Sequence, residues 1–207
     1  MSGDSPIVFI IDDDAGVRDA ISGLLRSEGW RSQSFDSPQA FLQVKIGNDP
    51  CCLILDVRLP GANGLEFQRQ LTDAGINIPI IFITGHGDIP MSVRAMKAGA
   101  VEFLVKPFQN NELLTAIGQA VDRDRRSRRQ RSDLAELQSR YDALSPRERE
   151  VLALVTTGML NKQIAAQLGT SEITVKIQRG NGMRKMQADS VAALVKMVEK
   201  LKGSTNQ

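Results

Sequence analysis

The stretch IVFIIDDD at residues 7–14 decides the fold of the first half of the chain. Five apolar, largely β-branched residues run directly into aspartates, a pattern typical of a strand that is buried on both faces and ends at a polar edge. Three later strand-like runs also end in polar residues: Cys51 to Leu55 in Asp56, Ile80 to Ile83 in Thr84, and Val101 to Val105 in Lys106-Pro107. In an open parallel sheet, ligands bind beyond the carboxyl ends of the strands. We therefore expect these polar side chains to share one site.

The residue types at this edge of the sheet indicate phosphoryl chemistry. Crowded carboxylates repel one another unless a cation lies between them, and Mg²⁺ prefers oxygen ligands. A divalent metal, a carboxylate nucleophile, a lysine and a hydroxyl are the groups that phosphoryl transfer requires. Asp56 is the expected acceptor because it is the only acidic residue that ends the central strand. Taken alone, Asp12 to Asp14 could equally form an acidic loop or a helix cap, and Asp14 is the expected N-cap.

Composition is that of a globular protein without a membrane segment. The 207 residues are 42% hydrophobic and 24% charged, and no apolar stretch reaches the length of a membrane span. The N-terminus has no basic-then-apolar signal segment, so we expect a cytoplasmic location. The two cysteines, Cys51 and Cys52, are adjacent in a predicted strand, where their side chains point to opposite faces. They are interpreted as small buried residues, with neither a disulfide nor a metal site.

The charge is divided unevenly along the chain. Residues 1–121 carry 9 basic and 14 acidic side chains, whereas residues 122–207 carry 17 basic and 10 acidic ones. An acidic half suits a metal site and a basic half suits a polyanionic partner. The division favours two domains with different tasks.

The chain is organised as an α/β domain at residues 1–121, a helical linker at 122–143 and an all-α domain at 144–207. Alternating strand and helix patterns in the first domain favour βαβ units and a doubly wound, five-stranded parallel sheet. The predicted strands lie near 7–11, 31–35, 51–56, 79–83 and 101–105, with helices near 15–28, 37–45, 63–74, 89–97 and from 110 onward.

The predicted linker contains no apolar side chain in residues 122–133 but six arginines. One interpretation is a solvated extension of the last helix of the first domain, acting as a semi-rigid connector. The other is that the arginines contact DNA phosphates or the neighbouring domain. The third segment then shows four short helices, the first of which begins with a capping box and proline at Ser145-Pro146-Arg147-Glu148.

Four motifs in this order resemble a known family. They are IDDD at 11–14, LILDVRLPGANGLE at 53–66, FITGHGDIPMSVRAMKAGAVEFLVKPF at 82–108 and LSPREREVLALVTTGMLNKQIAAQLG at 144–169. The first domain resembles the receiver domain of bacterial two-component response regulators. The last domain resembles the helix-turn-helix effector of the LuxR/NarL class, so the whole chain is similar to regulators of the FixJ and StyR type.

This resemblance implies a flavodoxin-like (CheY-like) receiver with strand order 2-1-3-4-5 and phosphorylation of Asp56 by a sensor histidine kinase. It implies no enzymatic activity beyond phosphotransfer to Asp56. The expected cofactor is Mg²⁺ (or Mn²⁺), held by Asp12, Asp13, Asp56 and the backbone carbonyl of Arg58. Lys106, expected to precede a cis-proline, and Thr84 would contact the phosphate, and Thr84 with Phe103 would form the switch. An ordinary core position remains the alternative for Phe103.

The resemblance also implies the partners of the chain. Phosphorylation would promote a homodimer, at the helix near 89–97 and the strand at 101–105, that binds a double-stranded DNA operator and regulates transcription, with activation through RNA polymerase expected. No membrane partner is expected. The helix-turn-helix would span 160–186, and its candidate DNA contacts are Lys162, Thr174, Lys176, Gln178, Arg179, Arg184 and Lys185. A solvated basic face is the alternative for these residues.

Two departures from the family pattern bear on DNA reading. The family usually has histidine at the position of Gln178, and larger or polar residues in place of Gly180 and Gly182. Each glycine costs a helix interior up to about 1 kcal/mol relative to alanine. The reader helix is therefore either frayed until DNA orders it or different in specificity, and Gln178 could read adenine.

A Mg²⁺-dependent phosphohydrolase with an aspartyl nucleophile is the alternative function. That class places its nucleophile after the first strand in a DxD pattern, whereas here consecutive aspartates follow the first strand and the expected nucleophile follows the third. A third class, a receiver-like domain that acts by protein contacts alone, is disfavoured by the complete set of acidic residues.

Overall fold

The computed structural model describes residues 5–85 and 89–205. The chain divides into two compact units between Arg128 and Arg129. Within the described ranges, no helix is both long and apolar enough to cross a membrane.

The first unit contains a five-stranded parallel sheet. Its elements are β1 (Ile7–Ile11), α1 (Ala15–Ser27), β2 (Arg31–Phe35), α2 (Pro38–Leu42), β3 (Cys51–Asp56), β4 (Arg58–Leu59), β5 (Ala62–Asn63), α3 (Gly64–Asp73), β6 (Ile80–Thr84), α4 (Ile89–Lys97), β7 (Glu102–Val105) and the start of α5 (Asn110–Asp142). The strand order is β2-β1-β3-β6-β7, and all four neighbouring pairs are parallel. The predicted doubly wound topology is confirmed.

The sheet is covered on both faces because side chains alternate along each strand. In β3, Leu53 and Leu55 join one apolar cluster with Phe9. Cys52 and Ile54 join the cluster on the other face, against α1 and α5. Every residue of β3 is buried, which explains why this strand reads as an uninterrupted apolar run.

Two local features differ from the expected elements. The helix expected at 37–45 ends at Leu42, where the chain turns through a bond from the Val44 amide to the Phe41 carbonyl. An unexpected two-stranded antiparallel ribbon, β4 with β5, follows β3 and places Arg58 opposite Asn63. Strands this short carry no readable alternation in sequence.

The second unit is helical. The later part of α5 is followed by α6 (Pro146–Thr156), α7 (Asn161–Leu168), α8 (Glu172–Met186) and α9 (Val191–Thr205). Gly169 ends α7 with a left-handed backbone (φ 61°), and Ser171 caps α8 by accepting from the Thr174 amide. This short turn between α7 and α8 forms the predicted helix-turn-helix.

Candidate functional site

Asp12, Asp13 and Asp56 come together at the carboxyl edge of the sheet. The register pairs Ile11 with Leu55, so the residues after each strand emerge side by side. One carboxylate oxygen from each aspartate lies within 4.8 Å of the others. Asp12 and Asp56 are buried, whereas Asp13 is exposed. Three carboxylates at this spacing form a cluster that suits a hard divalent cation.

Lys106 completes the cluster. Its Nζ atom lies 2.6 Å from Asp12 Oδ2 and 2.8 Å from Asp56 Oδ2. The Lys106–Pro107 peptide bond is cis, as expected. The ammonium group partly neutralises the two buried carboxylates that would otherwise repel each other.

The ion pair and the burial of the site shift the pKa values of Asp12 and Lys106. Burial raises the pKa of Asp12, and the hydrogen bond from Lys106, which lowers that pKa, offsets only part of the effect. Burial lowers the pKa of Lys106, but its hydrogen bonds to Asp12 and Asp56 outweigh burial, so the pKa is raised overall. The three clustered carboxylates supply oxygen donors that fit a divalent cation.

The loop after β1 is fixed by its own side chains. Asp14 caps α1, since its Oδ1 atom accepts from the amides of Gly16 at 2.7 Å and Val17 at 3.3 Å. The expected N-cap is confirmed. Arg18 donates from one guanidinium nitrogen to the carbonyls of Asp12 at 2.7 Å and Asp13 at 3.0 Å. Sequence reasoning missed this contact, although an arginine one turn into α1 could have suggested it.

Gly64 is a second position that sequence reasoning missed. A Cβ atom there would lie 2.5 Å from the Asp56 carbonyl oxygen, and the Gly64 amide donates to the Val57 carbonyl at 2.9 Å. Only glycine lets the start of α3 approach the Asp56 backbone this closely. The Asn63-Gly64 pair, together with the cap that the Asn63 side chain gives to α3, was the available signal.

Thr84 and Phe103 lie on adjacent strands near the acidic cluster. Thr84 is buried at the end of β6, and its carbonyl accepts from the Lys106 amide at 2.8 Å. Phe103 is half-buried on the edge strand β7, opposite Phe82, with ring centroids 6.3 Å apart. Arg58 donates its amide to Asp56 Oδ1 at 2.9 Å. The switch roles of Thr84 and Phe103 and the metal-binding role of the Arg58 carbonyl stay predictions.

Residues at the start of the predicted linker are bonded to the first unit. Asp124 is buried, and its Oδ2 atom accepts from the Cys51 amide at 2.8 Å and from Arg128 Nε. Arg128 also donates to the Gly47 carbonyl at 3.0 Å, and Arg123 donates to the Gly99 carbonyl at 3.1 Å. The interpretation of 122–133 as wholly solvated therefore does not hold for Asp124 and Arg128. The i,i+4 spacing of an aspartate and an arginine was the only local signal.

Apart from Lys185, the predicted DNA contacts fall into two groups in the second unit. The first group is bonded within the unit: Arg179 donates to Asn161 at 3.1 Å, Arg184 donates to Asn181 at 3.1 Å, and the Thr174 hydroxyl lies 2.9 Å from that of Ser171. The second group has no side-chain hydrogen bond within residues 5–85 and 89–205, and it consists of Lys162, Lys176 and Gln178.

Lys185, another of the predicted DNA contacts, is also bonded within the second unit, and its DNA contact stays a prediction. Its Nζ atom lies 2.7 Å from Glu148 Oε2 and 3.2 Å from the Ala143 carbonyl oxygen. Glu148 is buried and closes the predicted capping box of α6 with Ser145. The hydrogen bond from Lys185 holds the pKa of the Glu148 carboxyl below its usual range. Lys185 thus links α8 to α6, which sequence reasoning missed because the two residues lie 37 positions apart.

Both unusual glycines lie inside α8, which is continuous from Glu172 to Met186. Gly182 is buried, and a Cβ atom there would lie 2.8 Å from Leu152 Cδ1 in α6. Gly180 is exposed, with no atom within 4 Å of its Cβ position. Gly182 is therefore explained by the close contact of α8 with α6, whereas Gly180 meets no such constraint.

Comparison with known proteins assigns the chain to a family. The response regulator receiver domain family matches residues 8–118, and the family of bacterial regulatory proteins of the luxR type matches residues 142–198. The chain belongs to the response regulators. It combines a receiver domain with a LuxR-type DNA-binding domain, which makes it a transcriptional regulator of a two-component system, and the phosphohydrolase alternative is not favoured.

Three known proteins are similar to almost the whole chain. Nodulation protein W of Bradyrhizobium diazoefficiens is 52% identical over 200 residues, covering 97% of this chain and 88% of that protein. Transcriptional regulatory protein FixJ of Azorhizobium caulinodans is 41% identical over 190 residues, covering 92% of this chain and 90% of that protein. The solved structure of the response regulator StyR is 47% identical with a TM-score of 0.87, covering 95% of this chain and 99% of that one.

Proposed function

We propose that Asp56 of this response regulator accepts a phosphoryl group from a sensor histidine kinase and that the modification controls DNA binding. The observation that carries the proposal is the cluster of Asp12, Asp13 and Asp56 with the Lys106 ammonium 2.8 Å from Asp56. Because the partner is an operator in bacterial DNA, the protein would act in the cytoplasm.

The geometry supports transfer to a carboxylate oxygen of Asp56. The phosphorus–nitrogen bond of a phosphohistidine breaks, a phosphorus–oxygen bond to Asp56 forms, and the imidazole leaves with the electron pair. Asp12, Asp13, Asp56 and the Arg58 carbonyl would hold Mg²⁺ (or Mn²⁺), which would neutralise the carboxylates and the incoming phosphate. Lys106 then binds one phosphoryl oxygen as a point charge, and the Thr84 hydroxyl donates to another.

The signal would leave the receiver domain through Thr84 and Phe103. A phosphoryl group adds about two negative charges at neutral pH and attracts the Thr84 hydroxyl. Movement of Thr84 would let the half-buried Phe103 turn inward beside Phe82. This alters the surface of α4 and β7, where four exposed apolar residues lie: Ile89, Val93, Met96 and Val105.

Burial of these four side chains against a second copy would form the homodimer. Two effector domains held by a symmetric dimer bind two half-sites, so affinity for the operator rises on phosphorylation. Lys162, Lys176 and Gln178 are the proposed DNA contacts without competing bonds, and Arg179, Arg184 and Thr174 would have to exchange theirs. Lys185 would instead stabilise the position of α8 through its bond to Glu148 in α6. The bound dimer would recruit RNA polymerase.

The test compares Asp56→Asn with Asp14→Asn. The asparagine introduced in Asp14→Asn still caps α1, because asparagine caps helices about as well as aspartate, so this variant controls for loss of a carboxylate near the site. The wild type and Asp14→Asn should take up hydroxylamine-labile phosphate from acetyl phosphate in a Mg²⁺-dependent manner, form dimers on size-exclusion chromatography and bind the operator more tightly. Asp56→Asn should do none of these. Labelling of Asp56→Asn equal to wild type would refute the proposal.

A further inference from the structure

Four exposed residues form one stripe along α8: Ile173, Lys176, Ile177 and Gly180. Their spacing of i, i+3, i+4 and i+7 places them on a single side of the helix. Ile173 is 73% exposed and Ile177 is 55% exposed, although isoleucine is among the residues most often buried. The two isoleucines are neighbours one turn apart, so they present a continuous apolar surface.

The other side of α8 is committed to the domain itself. Val175 and Met186 are buried in the core, and Gly182 touches Leu152. Lys185 is bonded to Glu148, as described above. The stripe is therefore the face of α8 that remains available for a partner.

We propose that Ile173 and Ile177 read thymine by packing against its C5-methyl group in the major groove. This rests on the proposed binding of DNA by α8. An isoleucine side chain has no hydrogen-bonding group, and the thymine methyl is the apolar group that a base pair displays in the major groove. The stripe thus selects bases by burial of apolar surface instead of by hydrogen bonds.

Charge favours DNA over a protein as the partner of this stripe. Lys176 lies between the two isoleucines on the same face and can contact a phosphate. Residues 144–207 carry ten basic and five acidic side chains, which attracts a polyanion. Gly180 continues the stripe with no side chain, so bases or phosphates can approach the backbone there.

A methyl-deletion experiment tests this directly. Operators are first selected from a random double-stranded library by the full-length, beryllofluoride-activated protein. Each thymine of the selected site is then replaced by deoxyuridine, which removes the methyl group and keeps the base pairing. Loss of one buried methyl group should weaken binding about fourfold at each contacted thymine.

The same operators are measured with Ile173→Ala and Ile177→Ala, after circular dichroism shows that both variants retain their helix content. Each variant should bind the thymine operator more weakly and lose the uracil effect at the thymine that its isoleucine contacts. Lys176→Ala is the matched control, because it should weaken binding to all operators about equally and keep the uracil effect.

The possible outcomes distinguish failure of DNA binding from failure of the thymine contact. Failure to select any sequence would overturn the proposed DNA binding itself. A selected operator with no uracil effect, or with a uracil effect that both isoleucine variants retain, would overturn the thymine contact alone. Unchanged DNA affinity in Ile173→Ala and Ile177→Ala, with loss of transcription from a reconstituted promoter, would also overturn it and would assign the stripe to a protein partner.

Discussion

Gly180 and Gly182 lie two residues apart in α8, and we expect the same substitution to have opposite effects at the two positions. Gly180→Ala adds a methyl group in open space, so the helix gains up to about 1 kcal/mol from the better propensity of alanine. Gly182→Ala places a Cβ atom 2.8 Å from Leu152 Cδ1 and 3.0 Å from Leu152 Cγ. Leu152 is buried in the core, so the added methyl group has to be accommodated by a shift among packed side chains.

The two contributions at position 182 have opposite signs. Overpacking a core typically costs about 1–3 kcal/mol, and the propensity gain of up to about 1 kcal/mol offsets part of that cost. The free energy of unfolding should therefore fall by about 0–2 kcal/mol in Gly182→Ala. The difference between the two glycine variants should be about 1–3 kcal/mol, which exceeds the error of a well-fitted urea titration.

The assay is urea unfolding of the full chain, followed by far-UV circular dichroism and by hydrogen exchange of the α8 amides. The single tryptophan, Trp30, lies in the first unit, so its fluorescence transition should be unchanged in both variants. In a Leu152→Ala background, which supplies space, Gly182→Ala should become stabilising. Equal stabilisation by both alanines in the protein that retains Leu152, or no coupling between positions 152 and 182, would refute the packing argument.

Three further predictions concern charged contacts. Glu148→Gln keeps the helix cap but loses the charge pair with the part-exposed Lys185, so the free energy of unfolding should fall by about 1 kcal/mol at neutral pH. Because the hydrogen bond from Lys185 holds the folded pKa of Glu148 below the usual glutamate value, this contribution is present at neutral pH and is lost as the pH falls through the folded pKa. Wild-type and variant unfolding curves should therefore converge in acid. Lys185→Met should leave the slope of log operator affinity against log salt concentration near its wild-type value. Lys176→Met should reduce the magnitude of that slope by about one. Equal slopes for the two variants would contradict their assigned roles. Arg128→Met leaves the buried Asp124 without its arginine and should cost about 3 kcal/mol in the Trp30 unfolding transition, and an unchanged transition would show that the pair does not stabilise the receiver domain.

The sheet and its acidic site were predictable because both follow from short-range patterns. β3 was predicted at the observed residues, since an uninterrupted apolar run bounded by Pro50 and Asp56 has one plausible conformation. Once parallel strands are aligned, residues that follow them must converge at one edge, which brought Asp12, Asp56 and Lys106 together. The cis bond before Pro107 came from family resemblance and not from the residues themselves.

Contacts between residues far apart in sequence were not predictable. The bond from Lys185 to Glu148 joins two helices, and nothing near Lys185 distinguishes it from a lysine that faces DNA. Gly182 was interpreted as a weakness of α8 because its neighbour, Leu152, lies in another helix. Asp124 was placed in a solvated linker because its partner, the Cys51 amide, belongs to a strand 73 residues earlier. In each case the residue's role is set by a contact with a distant part of the chain, and local sequence propensity carries no information about such contacts.

The two adjacent free cysteines at the start of β3, Cys51 and Cys52, are buried, so their thiols should react slowly while the receiver domain stays folded. Burial raises the pKa of the Cys51 thiol to about 11, and burial also raises the pKa of the Cys52 thiol. A thiol reacts as the thiolate, which is scarce when burial raises the pKa. Alkylation of these cysteines should therefore require opening of the central strand. The chain has no other cysteine, so the rate of maleimide labelling under native conditions should report the opening of this strand.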